Sequence, residues 1–480
     1  MIEFDKRLLP LLGAGLLLGI GADLLLRTTP WGINILLWII AFVILTAILE
    51  RRYGFGLPPR ISWLVLPACF FAGAFAWRDS DTLKIANGLA LCCIMALAVL
   101  RNRTGCLAFG WVTEYSIGLV REWLLAPFYY IKTSISAIAW LRTLERRFTG
   151  TPLAVLRGIA IAIPLLLIFG TLLTSADASF ESLVNSLFDL NVTEIIRMLL
   201  WLPVCTLIGG GILLRMLSKA ETTEFQYNND GFSLGLIETS IILGLLNMLF
   251  FTFIAVQFAY FFGGTTTLSG VPDLSMANYA RRGFFELVTV SLLLLPLLLA
   301  IHWLSENNSK SRPPLVTILS ASLVLMLFAV MASAMHRMSL YQATFGLTEL
   351  RLYTSAFMGW LALVFAWFLK TVLFGNRSRF AFGAMIAGFM VIAVMDVSNP
   401  DALIVRVNTA RHAVNRPVDI NYLVSLSTDA VPALVALLPT MDKPTSSYTI
   451  MQLACKLETK KSRNWRSWNW STHSALGKLP

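Results

Sequence analysis

Long apolar runs alternate with short polar segments along most of the chain, up to about residue 398. Eleven runs are long enough to form membrane-crossing helices, because a hydrocarbon core about 30 Å thick takes about 20 apolar residues. The predicted spans cover residues 8–26, 31–49, 61–77, 82–100, 153–173, 195–216, 234–262, 284–304, 315–337, 355–373 and 380–397. We therefore predict an all-α fold: a polytopic transmembrane helix bundle of about eleven spans with a small helical C-terminal tail outside the membrane.

The positions of lysine and arginine predict the orientation of these spans. If the N-terminus lies in the cytoplasm, twenty of the 38 cationic residues fall in cytoplasmic segments, eight in outer segments and ten in the tail beyond residue 399. Cytoplasmic loops carry an excess of cations, so the count favours a cytoplasmic N-terminus. An odd number of spans then puts the C-terminal tail outside.

The loops divide the chain into four predicted parts. Residues 1–100 form two transmembrane hairpins, and residues 153–398 form a core of seven spans. Between them, residues 101–152 mix basic and aromatic side chains, which is typical of amphipathic helices on the cytoplasmic leaflet. Residues 399–480 form the outer helical tail, with a Trp-rich run at 465–470. That run is typical of interfacial anchoring, and a sugar-stacking platform is the alternative.

Composition favours a membrane protein and argues against several other classes. Apolar residues make up 57% of the chain and charged residues 14%, against about 25% charged in soluble domains. The net charge of +11 lies mostly between apolar runs, where it sets orientation, so we predict no nucleic-acid partner. The spacing of Cys, His, Ser and Gly matches no disulfide framework, metal site, hydrolase elbow or phosphate loop. We therefore predict no catalytic residue, no metal and no cofactor.

Several short stretches carry a resemblance to a known family. They are Ser175–Phe180, Tyr279–Glu286, Phe345–Tyr353, Asn399–Asn408, Asp419–Tyr422 with Leu426–Leu434, and the Trp-Arg-Ser-Trp-Asn signature at 465–469. From about residue 150 to the end, the chain resembles domain of unknown function 4153/4173, an uncharacterised family of bacterial multi-pass membrane proteins. The resemblance implies a place in the bacterial cytoplasmic (inner) membrane, and it implies no reaction or substrate.

On the predicted topology these stretches all lie on the outer side, where they would form one polar surface. The candidate ligand-binding residues are Asp177, Tyr279, Arg281, Arg282, Glu286, Glu349, Arg351, Tyr353, Asp401 and Arg406. Arginine clusters bind phosphates and carboxylates through paired hydrogen bonds, so an anionic lipid headgroup is the favoured ligand. The alternative is structural, because Arg282 and Glu286 at i,i+4 spacing pair locally. Asp419 and Asp429 open amphipathic stretches and would cap helices, so that the polar groups only dock the tail.

Three functions stay open from the sequence. The favoured one is a membrane-embedded binding or scaffolding module, whose partners are membrane lipids, an anionic lipid headgroup or a membrane protein. The alternative is a small-solute or lipid transporter, with a site where Gly209–Gly211 would break the sixth span. The second alternative is an enzyme acting on lipid-linked substrates at the outer leaflet, with the Asp, Arg and Tyr side chains as base and anion clamp.

Overall fold

The bundle and the tail are helical throughout the part of the chain that the structure describes. The computed structural model describes residues 2–55, 63–104, 112–145, 192–218, 234–262, 284–304, 314–375, 377–412, 418–461 and 464–478, with the single positions 162, 169 and 173. The helices of the bundle are α1 (Ile2–Leu26), α2 (Ile33–Tyr53), α3 (Val65–Trp77), α4 (Asp81–Thr104), α5 (Val112–Glu145), α6 (Val192–Cys205), α7 (Gly211–Leu217), α8 (Leu236–Phe262), α9 (Phe284–Leu304), α10 (Pro314–Phe345), α11 (Glu349–Phe368) and α12 (Phe380–Ser398). The helices of the tail are α13 (Pro400–His412), α14 (Ile420–Ser425), α15 (Val431–Val435), α16 (Lys443–Lys461) and α17 (Trp470–Leu476).

The predicted polytopic bundle is confirmed. Within the described residues, nine helical segments are long and apolar enough to cross a membrane: Leu8–Leu26, Ile33–Tyr53, Asp81–Arg101, Leu200–Leu217, Leu236–Gln257, Phe284–Leu304, Pro314–Phe345, Glu349–Leu373 and Arg377–Ser398. The third predicted span forms α3, a shorter apolar helix of 13 residues. The fifth predicted span, 153–173, lies outside the described residues except for the single positions 162, 169 and 173. The division of the chain into four parts stays a prediction.

Two large apolar clusters lie in the two halves of the bundle. One lies among α8, α9, α10 and α11, where Leu323 and Phe365 are fully buried. The other lies among α1, α2, α5 and α7, where Leu18 and Leu213 are buried. Lipid chains are as apolar as leucine, so the close fit of side chains rather than escape from water drives such helix contacts in a membrane. The two halves meet where α12 packs against α4.

The basic and aromatic segment after α4 forms one long helix, α5, over its described part. Ala126 and Tyr130 are buried in the bundle, and the Tyr130 hydroxyl donates a 2.9 Å hydrogen bond to the Leu12 carbonyl oxygen. Where α5 contacts α7, Arg215 Nη2 lies 2.6 Å from Glu122 Oε2. Another face carries exposed apolar side chains: Ile117, Val120, Leu124, Phe128, Ile131 and Ile135. This face suits contact with acyl chains, and a place on the cytoplasmic leaflet stays a prediction.

The sixth predicted span does not unwind at its three glycines, so the prediction of a broken helix there is wrong. Thr206–Gly210 forms a π-helical turn that joins α6 to α7. A Cβ atom added to Gly210 would lie 2.9 Å from the Gly15 Cα atom. A Cβ atom added to Gly211 would lie 2.2 Å from the Ala126 carbonyl oxygen. The glycines thus let α1 and α5 approach this helix closely, and that packing keeps the backbone helical.

The connection between α10 and α11 is shorter than the predicted outer loop between residues 337 and 355. α10 continues to Phe345, and α11 already begins at Glu349. Gly346 makes the tight turn with a φ of 82°, a conformation that a residue without Cβ adopts at little cost. Glu349 and Arg351 therefore belong to the first turn of a helix rather than to a loop.

We expect Gly211→Ala to lower the thermal unfolding temperature of the purified protein. The added methyl group would meet the α5 backbone, and overpacking of this kind costs about 1–3 kcal/mol. Gly244→Ala is the matched control, because nothing lies within 4 Å of the added Cβ. Alanine in a helix is favoured over glycine by roughly 0.5–1 kcal/mol, so the control should unfold at the same or a higher temperature. Equal unfolding temperatures for the two variants would contradict the close helix contact.

Candidate functional site

The tail joins the bundle at the turn between α3 and α4. α3 ends because Arg78 adopts an extended conformation, and α4 begins at Asp81. The backbone N–H groups at a helix N-terminus have no partner within the helix. Here Asp429 Oδ2 accepts hydrogen bonds from the Asp79 and Ser80 N–H groups, at 2.8 and 3.1 Å. A carboxylate of the tail thus lies at the N-terminus of α4, where negative charge is favoured.

Arg78 connects the same turn to the end of α12. Its Nε donates to the Asp396 carbonyl oxygen at 2.6 Å, and its Nη2 donates to the Val397 carbonyl oxygen at 3.3 Å. The last carbonyl groups of a helix need such outside donors, and a cation is favoured at that end. The guanidinium also lies 4.3 Å from the centre of the Trp77 ring, and Nη1 lies 3.7 Å from Asp429 Oδ1. One side chain therefore joins α12, α4 and the tail.

Asp79 is the most heavily paired carboxylate of this network. Lys84 Nζ donates to Asp79 Oδ1 at 2.9 Å, and Lys460 Nζ of α16 donates to Oδ2. The Thr428 hydroxyl also donates to Oδ2, at 2.9 Å. Burial alone would raise the pKa of Asp79, but the two lysines outweigh burial and lower the pKa to about 2. Asp79 is therefore ionised at every physiological pH and holds α16 against α4.

A second carboxyl group, that of Asp401, lies between α11 and the tail. The Ser427 N–H donates to Asp401 Oδ2 at 3.1 Å, and the Ser427 hydroxyl donates to the same oxygen. Glu349 of α11 contacts the same part of the tail, where its N–H donates to the Tyr422 hydroxyl at 2.8 Å. Burial raises the pKa of Asp401, and the charge of Asp429 raises it further. Asp401 therefore keeps its proton to a higher pH than an exposed carboxyl group does.

The final described segment of the tail lies against the same end of the bundle. Asn469 Nδ2 donates to the carbonyl oxygens of Phe75 and Arg78, at 2.9 and 2.7 Å. The Ile33 N–H donates to the Trp468 carbonyl oxygen at 3.0 Å. The tail therefore contacts the turns between α1 and α2 and between α3 and α4, and it covers this end of the bundle.

Two cavities flank the network. The first, of about 200 Å³, has charged and aromatic residues in its lining: Asp79, Lys84, Lys460, Trp31, Trp465 and Trp468. The second, of about 330 Å³, has these polar residues in its lining: Asn399, Arg406, Asp429 and Lys478. We define the docked tail, the turns that it contacts and these two cavities as the tail platform.

The structure brings three of the predicted site residues together. Asp401 accepts from Ser427, the Glu349 N–H donates to the Tyr422 hydroxyl at 2.8 Å, and the Tyr353 hydroxyl lies 3.3 Å from Ser80 Oγ. Arg351 lies apart from them: its Nη1 donates to the Gly346 carbonyl oxygen, and its guanidinium lies 4.2 Å from the Tyr341 ring centre.

The other predicted site residues divide into two groups. Arg406 is exposed at the second cavity, and Glu286 is exposed on the first turn of α9. The remaining four lie outside the described residues: Asp177, Tyr279, Arg281 and Arg282. The pairing of Arg282 with Glu286 therefore stays a prediction, as does ligand binding by the whole set.

The two expected helix caps differ in outcome. Asp419 is confirmed as the N-cap of α14, since its Oδ1 accepts from the Tyr422 N–H at 3.0 Å. Asp429 lies inside a 3-10 turn, Thr428–Ala430, and Ser427 is the N-cap of that turn. The prediction for Asp429 is wrong because its carboxylate binds the N-terminus of α4, a partner distant in sequence.

Sequence reasoning missed the centre of the network. Arg78, Asp79 and Ser80 form a polar cluster between two apolar runs, and this was the available signal. Asp396 is fully buried near the end of α12, where its Oδ1 accepts from Asn87 Nδ2 at 3.0 Å. A carboxylate within an apolar run is a signal of the same kind.

We expect Asp79→Asn to loosen the tail. The substitution leaves the Lys84 and Lys460 ammonium groups, which are 11% and 15% exposed, without their carboxylate. Loss of one partner from a buried ion pair costs about 3 kcal/mol. Hydrogen–deuterium exchange of residues 443–461, followed by mass spectrometry, should become faster.

Asp81→Asn provides the matched control for that measurement. The Asp81 side chain is 95% exposed and lies 4.0 Å from Lys84, and exposed pairs contribute about 0–1 kcal/mol. Exchange in this variant should match that of the unmodified protein. If both variants exchange alike, Asp79 does not hold the tail.

We also expect stability to fall as pH rises through the titration of Asp401. The pKa of Asp401 is raised in the folded protein, so its contribution is complete below the unfolded value of about 3.9 and is lost as pH rises through the folded value. Asp401→Asn keeps a neutral side chain, so the variant should show a smaller decline and unfold at the same or a higher temperature at pH 8. The check is the unfolding temperature of both proteins from pH 5 to pH 8, a range in which Asp79 stays ionised. If the unfolding temperature of the variant were lower than that of the unmodified protein by the same amount at every pH, the titration of Asp401 would not be the cause of the decline.

Comparison with protein families supports the predicted resemblance. Residues 65–437 match the family model described as a domain of unknown function (DUF4153). The match begins at the first residue of α3, far before the predicted start near residue 150, and it ends before the signature at 465–469. Searches of the curated proteins and of the solved structures gave no match. Because the match covers more than half of the 480 residues, this multi-pass membrane protein belongs to the DUF4153 family, whose function is unknown.

Proposed function

We propose that the protein is a non-enzymatic binding or scaffolding module of the bacterial cytoplasmic membrane, which presents the tail platform on the outer side. The observation that carries the proposal is the ion-pair network of Arg78, Asp79 and Asp429, which fixes the tail on the bundle. Buried charges engaged in this way hold a surface in one arrangement. A fixed surface with cavities suits recognition, because a preorganised site loses little entropy when it binds.

The outer position of the platform is supported by the cation count together with the contacts of the tail. The tail touches the turn between α1 and α2 through Trp468, and the turn between α3 and α4 through Asn469. It touches the start of α11 as well, where the Glu349 N–H donates to the Tyr422 hydroxyl at 2.8 Å. These turns belong to the cation-poor segments of the predicted topology. Their common end of the bundle therefore suits the outer side.

The partners that we propose are membrane lipids, in particular an anionic lipid headgroup, and a membrane protein that contacts the platform. Arg406 is exposed on α13 and shares the second cavity with Lys478. A cavity with these two cations suits an anionic group. Asp429 lies deeper in the same cavity and is already engaged with α4.

Transport is the second candidate function, and one observation favours it. A cavity of about 390 Å³ lies between α8 and α10, and its lining includes Gln257, Ser333 and His336. Polar groups within a bundle are typical of solute pathways. Ser333 Oγ donates to Gln257 Oε1 at 2.5 Å, so these two groups already satisfy each other. Since Gly210 is a packing residue, loss of solute binding on its replacement would not identify a transport site.

The proposal predicts that an outer component contacts the platform in cells. A photo-reactive benzoylphenylalanine in place of Val407, which is 38% exposed beside Arg406, should give a cross-linked product of defined mass. Asp79→Asn should abolish this product, because the tail no longer holds its place. The control site is Leu249 on α8, which is 63% exposed. It should give cross-links to lipid that Asp79→Asn leaves unchanged. The proposal fails if position 407 gives only products that Asp79→Asn leaves unchanged.

A further inference from the structure

The first cavity of the platform lies at the depth of phospholipid headgroups. Its wall includes Trp31, between the end of α1 at Leu26 and the start of α2 at Ile33. Its floor includes Asp79 and Lys84, at the start of α4. Apolar helices of this kind end where the hydrocarbon core ends. The cavity is therefore level with the polar layer of the leaflet.

The charges at the floor of the cavity leave an excess of positive charge. Lys84 and Lys460 both bind Asp79, one at each carboxylate oxygen. One negative charge thus balances one of two positive charges, and each ammonium group has three N–H donors. Asp81 lies 4.0 Å from Lys84, but its side chain is 95% exposed, so water and salt screen its charge. The floor suits a second anion, placed so that both lysines donate to it.

The rim of the cavity is aromatic. Trp465 is 62% exposed and Trp468 is 38% exposed, while Trp31 on the opposite wall is 42% exposed. The Trp31 indole N–H donates to the Leu26 carbonyl oxygen at 3.0 Å, which fixes that ring at the end of α1. Tryptophan is enriched at the membrane–water interface because its ring is apolar and its N–H is polar. The rim therefore suits contact with a lipid rather than with bulk water.

We infer that this cavity binds the phosphate group of an anionic membrane lipid, with Lys84 and Lys460 as donors and the three tryptophans as the rim. The inference rests on the proposed outer platform and names its ligand class. The aromatic rim would also suit a neutral sugar, but a neutral sugar carries no negative charge that could pair with the second lysine ammonium group. The depth of the cavity and that cation together favour the lipid phosphate.

The test measures lipid retention by the purified full-length protein in nanodiscs of phosphatidylcholine with increasing phosphatidylglycerol, followed by native mass spectrometry. We expect preferential retention of phosphatidylglycerol. Lys84→Gln should weaken it about tenfold, the loss expected for one hydrogen bond to a charged group. Lys460 still pairs with Asp79 in this variant, and exchange of residues 443–461 verifies that the tail stays docked. Lys443→Gln is the matched control, because it removes the same charge from an exposed position on α16 that lines neither cavity and should leave retention unchanged.

A second variant keeps the inference testable if Lys84→Gln disturbs the tail. Trp465→Ala leaves the ion pairs intact and should weaken phosphatidylglycerol retention about threefold, the loss expected for one aromatic contact. Equal retention of the two lipids, or equal losses in Lys84→Gln and Lys443→Gln, would overturn the inference. Binding of glycerol phosphate in detergent as tightly as phosphatidylglycerol would overturn the lipid assignment, and binding of maltose without lipid preference would reassign the cavity to sugars. In each of these cases the cross-link from position 407 would persist. The lipid-binding inference would then fail while the proposed outer platform would stand.

Discussion

Neutralisation of buried charge at one end of an apolar bundle is the constraint on which the rest of the structure depends. A carboxylate in such surroundings is stable only with close partners. Asp79 has two cationic partners: Lys84, one turn into α4, and Lys460, near the end of α16. The tail is therefore part of the bundle's end and not an appendage to it. Its position, and with it the shape of both cavities, follows from this pairing.

The same polar network also supplies hydrogen-bond partners for the unpaired backbone groups at two helix ends. Arg78 supplies donors to the last carbonyl groups of α12, and Asp429 supplies an acceptor to the start of α4. Asn399, with a φ of 52°, ends α12 so that Pro400 can begin α13. Proline suits the first position of a helix because it lacks an N–H. The turn places Asp401 where its carboxyl group accepts hydrogen bonds from Ser427 of the tail.

The bundle was predictable from sequence, and the centre of the site was not. Hydropathy is a local property, so ten of the eleven predicted runs appear as helices among the described residues. The pairing of Asp79 with Lys460 spans 381 positions, and no local pattern connects them. Glu349, Tyr353 and Asp401 were found because the resemblance marked them. The prediction that the sixth span breaks at Gly209–Gly211 was wrong because glycine allows both an unwound turn and a close helix contact. Only the packing of the neighbouring helices determines which of the two forms.

The claim that the platform faces outward is tested most directly at Cys455, an exposed thiol on α16. The other five cysteines would be replaced by alanine, and a membrane-impermeant maleimide would be applied to intact spheroplasts. A second protein would carry its single cysteine at Phe374, which is 70% exposed at the opposite end of α11. The account predicts labelling of Cys455 in intact spheroplasts, and labelling of position 374 only after permeabilisation. The reverse pattern would put the tail in the cytoplasm and contradict the outer platform.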